Sequence, residues 1–86
     1  MSVIVTYDLN KEAKRPPIVD GIKRLGAWAK LSESSYALNT QFTPKQIYEA
    51  LSQYLDSNDQ LFVITLSAPW HGQGPQEIRN WLHQNI

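Results

Sequence analysis

The chain has 86 residues, carries eight Lys or Arg against eight Asp or Glu, and contains no cysteine. This length allows one domain with a single small core, and because self-association would bury more surface, we expect a homodimer. Zero net charge argues against a protein that coats polyanions by bulk charge, and the lack of cysteine excludes disulfides and thiolate metal sites. No apolar run reaches membrane-spanning length and no signal-type stretch opens the chain, so we expect a cytoplasmic protein without a membrane partner.

The first predicted element is a strand over residues 2–9, where side chains alternate between an apolar face and a mixed face that ends at Asp8. A polar loop over residues 10–15 follows. The next element is a helix, because Pro16 and Pro17 suit a first helical turn and Gly26 suits a C-terminal cap. Its apolar stripe consists of Ile18, Ile22 and Leu25.

Residues 27–31 and 35–40 read as the two strands of a hairpin. Thr43 and Pro44 then predict the start of a second helix, with apolar residues at helical spacing as far as Leu55. The stretch 56–59 has the composition of a turn, and residues 61–66 form a strongly apolar fourth strand.

This order predicts an α+β, ferredoxin-like βαββαβ domain over residues 1–67, with two helices on one face of a four-stranded antiparallel sheet. Residues 68–86 form a connector and a short helix, which either folds back or embraces a neighbouring subunit. The other face of the sheet is too apolar to remain exposed to solvent, so we expect a partner to cover it. That open face is predicted to carry Ile4, Thr6, Asp8, Leu61, Val63 and Thr65. The predicted interface residues are Ile4, Thr6, Val63, Thr65, Trp70 and Trp81.

Asp8 is the main candidate for chemistry, because a carboxylate that closes a buried strand is costly unless it is solvated, paired or bound to a metal. Two interpretations stay open. In the first, Asp8 is an Asx-type turn residue that caps the following loop. In the second, it is a metal ligand or catalytic group.

Several segments together resemble the SinR-like branch of the small ferredoxin-fold proteins. They are Tyr7-Asp8-Leu9 at the end of the first strand, Gly26 after the first helix, the hairpin over residues 26–38, and the stretch 55–61 before the last strand. That branch is similar to the CRISPR-associated adaptation protein, the dimeric partner of the spacer integrase, and more distantly to the VapD-type ribonuclease toxins. The resemblance covers roughly residues 3–67.

The resemblance implies that two protomers pack their open sheet faces together and bring Asp8 from each subunit to a two-fold axis, beside Tyr7 and the hairpin Ser34 or Ser35. It also implies Mg²⁺ as a cofactor held by the paired aspartates, because Mg²⁺ needs only one or two carboxylates together with water and phosphate. The leading hypothesis is therefore a homodimeric, metal-dependent endonuclease that acts on RNA or DNA.

The chain departs from the adaptation proteins in its partly basic loop 10–15, and in a predicted C-terminal helix where those proteins have a further strand. The alternative hypothesis is a non-catalytic protein-interaction module from a defence, toxin-antitoxin or mobile-element setting, with a protein partner or a second copy on its open face.

The other candidate residues each have two interpretations. Lys14, Arg15 and Arg24 either bind nucleic-acid phosphate or belong to an ordinary solvated helix face. His71 is either a general base near Asp8 or a surface loop residue, and His83 reads as polarity at a helix end. The larger aromatic residues either stack on bases or pack in the core and interfaces. They are Trp28, Tyr36, Trp70 and Trp81.

Overall fold

A computed structural model describes residues 1–86 as a four-stranded antiparallel sheet with three α-helices. The strands lie across the sheet in the order β2-β3-β1-β4, so that β2 and β4 are its edges. This arrangement confirms the predicted ferredoxin-like fold with an additional C-terminal helix. In chain order the elements are β1 (Ser2–Asp8), a 3₁₀ turn (Glu12–Lys14), α1 (Arg15–Lys23), β2 (Ala27–Ser32), β3 (Ser35–Asn39), α2 (Pro44–Ser52), β4 (Gln60–Thr65) and α3 (Gln76–Asn85).

The start of α2 is fixed by a reciprocal capping box. Thr43 Oγ accepts a hydrogen bond from the Gln46 amide at 3.2 Å, and Gln46 Oε1 accepts one from the Thr43 amide at 2.9 Å. Pro44 occupies the first helical turn, where its missing N–H costs no hydrogen bond. The predicted start of this helix is therefore confirmed, although the helix ends at Ser52, before Leu55.

Gly26 has a steric role between α1 and β2. A Cβ at this position would collide with the main-chain carbonyl oxygen of Asn39, at the end of β3. Glycine is therefore required here by the close approach of two backbone segments, which brings β2 alongside β3.

The core lies between the inner face of the sheet and the helices α1 and α2. Alternate residues of the central strand β1 point inward and are almost completely buried. The helices contribute apolar residues at helical spacing, so the core is built from apolar packing without a disulfide. The buried core residues are Val3, Val5, Tyr7, Ile18, Ile22, Tyr36, Leu38, Ile47, Leu51 and Leu61.

The register between β1 and β4 corrects the predicted open face, which we call the outer face. Residues directly opposite in an antiparallel pair share a face, and the pairs on the outer face are Ile4 with Ile64, Thr6 with Phe62 and Asp8 with Gln60. Ile4, Thr6 and Asp8 lie there as predicted. The placement of Leu61, Val63 and Thr65 on that face is wrong, because their partners are Tyr7, Val5 and Val3 of the inner face.

The C-terminal segment folds back onto its own chain. Ser2 Oγ donates to the carbonyl oxygen of Asn85 at 2.6 Å, and Asn39 Nδ2 donates to Asn85 Oδ1 at 2.7 Å. Helix α3 therefore lies on the outer face over the β2–β3 side. Ala29 and Ala37 lie on this side of the sheet and are 6% and 0% exposed. Of the two predicted roles of the tail, folding back is the one observed.

Candidate functional site

Asp8 lies at the exposed end of β1, on the outer face and opposite Gln60. It borders a shallow depression of about 100 Å³ shared with Thr6 and Phe62. Because the carboxylate is solvated, the cost of burial that made it conspicuous in the sequence does not arise.

The Asx-turn interpretation of Asp8 does not agree with the hydrogen bonding of the next loop. An Asx turn uses the amide two residues further on, which here belongs to Asn10. That amide donates instead to Asp59 Oδ1, at 2.7 Å. Asp8 is therefore exposed and does not cap the loop. The capping role that was predicted for Asp8 is performed by Asp59.

The residues of one chain do not assemble a metal site around Asp8. No group of three or more His, Asp or Glu side chains is placed to hold a metal ion. A single exposed carboxylate does not fit the several oxygen ligands that Mg²⁺ requires unless water, substrate or a second carboxylate completes them. Mg²⁺ therefore remains a prediction, in which the resemblance supplies the second carboxylate from another copy of Asp8.

The sequence interpretation missed Asp59, the carboxylate that the fold does bury. Its side chain is fully buried and accepts hydrogen bonds from Lys14 Nζ at 2.8 Å and from the amides of Asn10 and Asp56 at 2.7 and 2.9 Å. The bond from Lys14, followed by the two amide bonds, lowers the pKa of Asp59 to about 2. This cluster ties the loop after β1 to the loop before β4, and no local sequence signal pairs residues that are 45 positions apart.

Lys14 is engaged in the same cluster, although it was predicted to bind nucleic acid. It forms ion pairs with both Asp56 and Asp59. The hydrogen bonds that Lys14 donates to these two carboxylates raise the pKa of Lys14, and the bond that Asp56 accepts lowers the pKa of Asp56. The charge of Lys14 is thus compensated within the chain.

Arg15 is compensated in a similar way. Its guanidinium forms two hydrogen bonds of 2.9 Å with the carboxylate of Glu12, donates to the carbonyl oxygen of Glu33, and lies 5.8 Å from the ring centre of Tyr7. Arg24, the third predicted contact, is exposed at the other end of α1. A helix of this length separates its ends by roughly 13 Å, so these side chains do not converge on one phosphate-binding patch.

The two histidines lie in the C-terminal segment. The rings of His83 and Trp70 are 4.8 Å apart, so Trp70 packs against its own tail. His71 lines a cleft of about 360 Å³ between the connector, α3 and β2, and not the depression beside Asp8. A general-base role for His71 at Asp8 therefore has no support in this arrangement. The apolar lining of the cleft consists of Leu31, Leu66, Trp70, Pro75, Ile78, Leu82 and Ile86.

The remaining aromatic candidates are held by neighbours of the same chain. Trp28 lies 5.9 Å from the ring of Tyr36, and the Lys23 ammonium lies 4.3 Å from the Trp28 ring. Trp81 is half-buried on α3, where it borders a second depression together with Trp28. These contacts agree with the packing interpretation of the aromatic residues.

The most exposed apolar surface of the sheet lies along the edge strand β4. Phe62 and Ile64 are 59% and 54% exposed, and they are adjacent on the outer face because side chains two residues apart share a face. We call the edge of residues 60–65, together with these two side chains, the β4 edge.

The backbone of the β4 edge has unpaired hydrogen-bonding groups. Leu66 donates its amide to Ser2 at 2.8 Å, which fixes the even-numbered residues of β4 as those that bond to β1. The N–H and C=O groups of the odd-numbered residues therefore point away from the sheet. None of the backbone hydrogen bonds outside the ladders involves them. These residues are Leu61, Val63 and Thr65.

The β4 edge lacks the usual protection against pairing with another chain. Natural edge strands are commonly blocked by charges, proline or bulges. Residues 60–65 contain no charged residue and no proline, and the register with β1 has no irregularity. The edge is thus free to accept a further strand.

No protein-family model and no curated protein matches this chain. The similarity to the SinR-like branch therefore remains a prediction. None of the three helices is both long enough and apolar enough to span a bilayer.

Proposed function

We propose that this protein is a non-catalytic interaction module that binds an extended polypeptide strand at its β4 edge. The observation that carries the proposal is the combination of free main-chain groups at Leu61, Val63 and Thr65 with the exposed side chains of Phe62 and Ile64. In strand addition, main-chain hydrogen bonds supply affinity and alternate side chains supply specificity. The β4 edge offers both.

Charge supports a polypeptide partner over a polyanion. Residues 60–65 carry no charge, and two of the three predicted phosphate contacts, Lys14 and Arg15, are paired with carboxylates of the same chain. Nucleic-acid binding depends on unpaired cations that neutralise phosphates. An uncharged strand with alternating apolar residues is the complementary partner.

Selection from a library of displayed extended peptides tests the proposal. We expect the selected peptides to alternate apolar residues and, on binding, to protect the amides of Leu61, Val63 and Thr65 from hydrogen exchange. Thr65→Pro removes one outward N–H without breaking a bond to β1, so binding should weaken, whereas Thr65→Val keeps the amide and should bind normally. Selection of no peptide, or protection confined to another surface, would overturn the proposal.

A second candidate function is the metal-dependent endonuclease implied by the resemblance. One observation favours it: Asp8 is exposed on the outer face and forms no ion pair within the chain, so its carboxylate is free for a ligand. This function needs Asp8 from two copies. It predicts cleavage of single-stranded RNA or double-stranded DNA that requires Mg²⁺, is stopped by chelator, and is lost in Asp8→Asn but not in Asp20→Asn. Absence of cleavage, or equal cleavage by Asp8→Asn, would eliminate it.

A further inference from the structure

We infer that the strand bound by the β4 edge is β4 of a second copy of this chain, antiparallel to the first about a two-fold axis at Val63. The inference rests on the proposed function, since it names the partner of the same edge. Its basis is the self-complementarity of residues 60–65 under such a rotation.

The rotation brings the outward N–H and C=O groups of the two β4 strands opposite one another. An axis at Val63 places Val63 opposite its own copy and places Leu61 opposite Thr65 of the second copy. All three outward-facing residues of each strand then fall in hydrogen-bonded pairs, which gives about six inter-chain backbone hydrogen bonds.

The same rotation matches the exposed side chains. Phe62 falls opposite Ile64 of the second copy in a non-hydrogen-bonded pair, where cross-strand side chains approach most closely. These two residues are the most exposed large apolar side chains of the sheet. The two-fold axis makes this contact twice, so the four side chains bury one another on the outer face.

Neighbouring registers satisfy these conditions less well. An axis at Phe62 pairs Phe62 with itself but places Ile64 against the polar Gln60 and moves the outward pairing of Thr65 onto Asp59. An axis at Ile64 moves the outward pairing of Leu61 onto Ser67. Only the axis at Val63 keeps every outward pair inside β4 and every exposed apolar residue opposite another.

Electrostatics does not oppose this assembly, because residues 60–65 contain no charged side chain. The assembly also differs from the face-to-face dimer implied by the resemblance. With a rise of about 3.3 Å per residue and a strand spacing of about 4.8 Å, the two Asp8 residues would lie roughly 25 Å apart. They would be too distant to share a metal ion.

Cysteine cross-linking tests the register, because the chain has no native cysteine. Phe62→Cys and Ile64→Cys are prepared separately and oxidised alone and as a mixture. We expect an inter-chain disulfide in the mixture and none in either variant alone. A disulfide in Phe62→Cys alone would indicate the axis at Phe62, one in Ile64→Cys alone the axis at Ile64, and either result would overturn the inference.

Sedimentation of the unmodified chain over a range of concentrations provides the second measurement. We expect a monomer–dimer equilibrium in which the amides of Leu61, Val63 and Thr65 become protected as the concentration rises. Phe62→Lys should raise the dimer dissociation constant by roughly tenfold or more, whereas Phe42→Lys, which replaces a partly exposed phenylalanine outside the sheet, should leave it unchanged.

The outcomes separate the two proposals. A strictly monomeric chain whose β4 edge binds selected peptides would overturn the second-copy inference and leave the proposed function standing. A dimer that leaves these three amides unprotected would overturn the inference as well. A monomeric chain whose edge binds no peptide would overturn both.

Discussion

The two halves of the outer face of the sheet differ in whether the chain itself covers them. Over β2 and β3 the chain places small residues, Ala29 and Ala37, and its own helix α3 covers them. Along β4 it places Phe62 and Ile64, which stay more than half exposed. Small side chains let a helix approach the backbone closely, whereas large ones need a partner to cover them. Residue size therefore distinguishes the self-covered half from the half that is open to another chain.

Hydrogen bonding reinforces the contrast. The covered half is fastened at Asn85, which accepts hydrogen bonds from Ser2 and Asn39. The β4 half instead leaves the main-chain groups of its odd-numbered residues without a partner in the chain. The first half is therefore satisfied within the monomer, and the second is the half to which the proposed function assigns binding.

The largest expected effect comes from placing the same substitution in each half. Ala37→Glu puts a carboxylate beneath α3 where the alanine is completely buried, and we expect the free energy of unfolding to fall by about 2–4 kcal/mol. Ile64→Glu adds the same charge to an exposed position and should change it by less than about 0.5 kcal/mol. Urea unfolding of both variants measures the difference.

If the two glutamate substitutions lowered the free energy of unfolding equally, the two halves would not differ in how deeply their side chains are buried. Ile64→Glu has a separate readout, because it should abolish self-association and peptide binding while preserving the fold. Ala37→Asn helps to separate bulk from charge, since it adds fewer atoms and no charge and should fall between the other two.

A smaller effect is expected from weakening α3 itself. Leu82 is half-buried in the lining of the cleft below the connector, and Leu82→Ala should lower the free energy of unfolding by about 1–2 kcal/mol. The hydrogen exchange of residues 76–85 should accelerate while that of β4 stays constant. Gln84→Ala, an exposed position on the same helix, is the control and should be neutral. Accelerated exchange throughout the sheet would mean that α3 is required for the whole fold.

The anchor at Asn85 should contribute less. Asn39→Ala removes the hydrogen bond to Asn85 Oδ1 at an exposed site, and we expect a loss of about 0.5–1 kcal/mol. The change should appear as faster fraying of the last turn of α3. An unchanged exchange rate in that turn would show that the bond to Ser2 alone holds the helix end.

Much of the fold could be predicted because its signals are local. Thr43 with Pro44 marks a helix start within a few residues, and the alternation around Asp8 places that residue on the outer face. The sequence does not show which residues of β4 lie on the outer face. Residues 61–64 are apolar at every position, so no alternation of polar and apolar residues distinguishes the two faces. Only the pairing with β1 shows that Phe62 and Ile64, and not Val63 and Thr65, lie on the outer face.

The candidate site was less predictable for a related reason. Asp8 was the main candidate because burying a carboxylate at the end of a strand costs free energy. Whether such a carboxylate is buried depends on neighbours that the local sequence does not reveal. The buried carboxylate is Asp59, whose partners Asn10 and Lys14 are brought to it by the pairing of β1 with β4. Long-range contacts of this kind have no signature in spacing or periodicity.

The smallest effect near neutral pH concerns the cluster of Lys14, Asp56 and Asp59 at the end of the β4 half. The hydrogen bonds to Asp59 lower its pKa to about 2, below the value near 3.9 expected for an unfolded chain. Its contribution to stability is therefore fully present above about pH 4.5 and is lost as the pH falls toward 2. We expect no change between pH 6 and pH 8 from this group, and a loss of stability between about pH 4 and pH 2.

The comparison with Asp59→Asn isolates this contribution from those of other carboxylates. The variant lacks the titrating group, so the difference in unfolding free energy between it and the unmodified chain should shrink as the pH falls through this window. Hydrogen exchange should accelerate in the loops before α1 and before β4, while α3 stays protected, because no ion pair involves that helix. A difference that is constant from pH 7 to pH 2 would mean that Asp59 acts through its shape and hydrogen bonds and not through its charge. Equal loosening of α3 would show that acid does not distinguish the covered half from the β4 half.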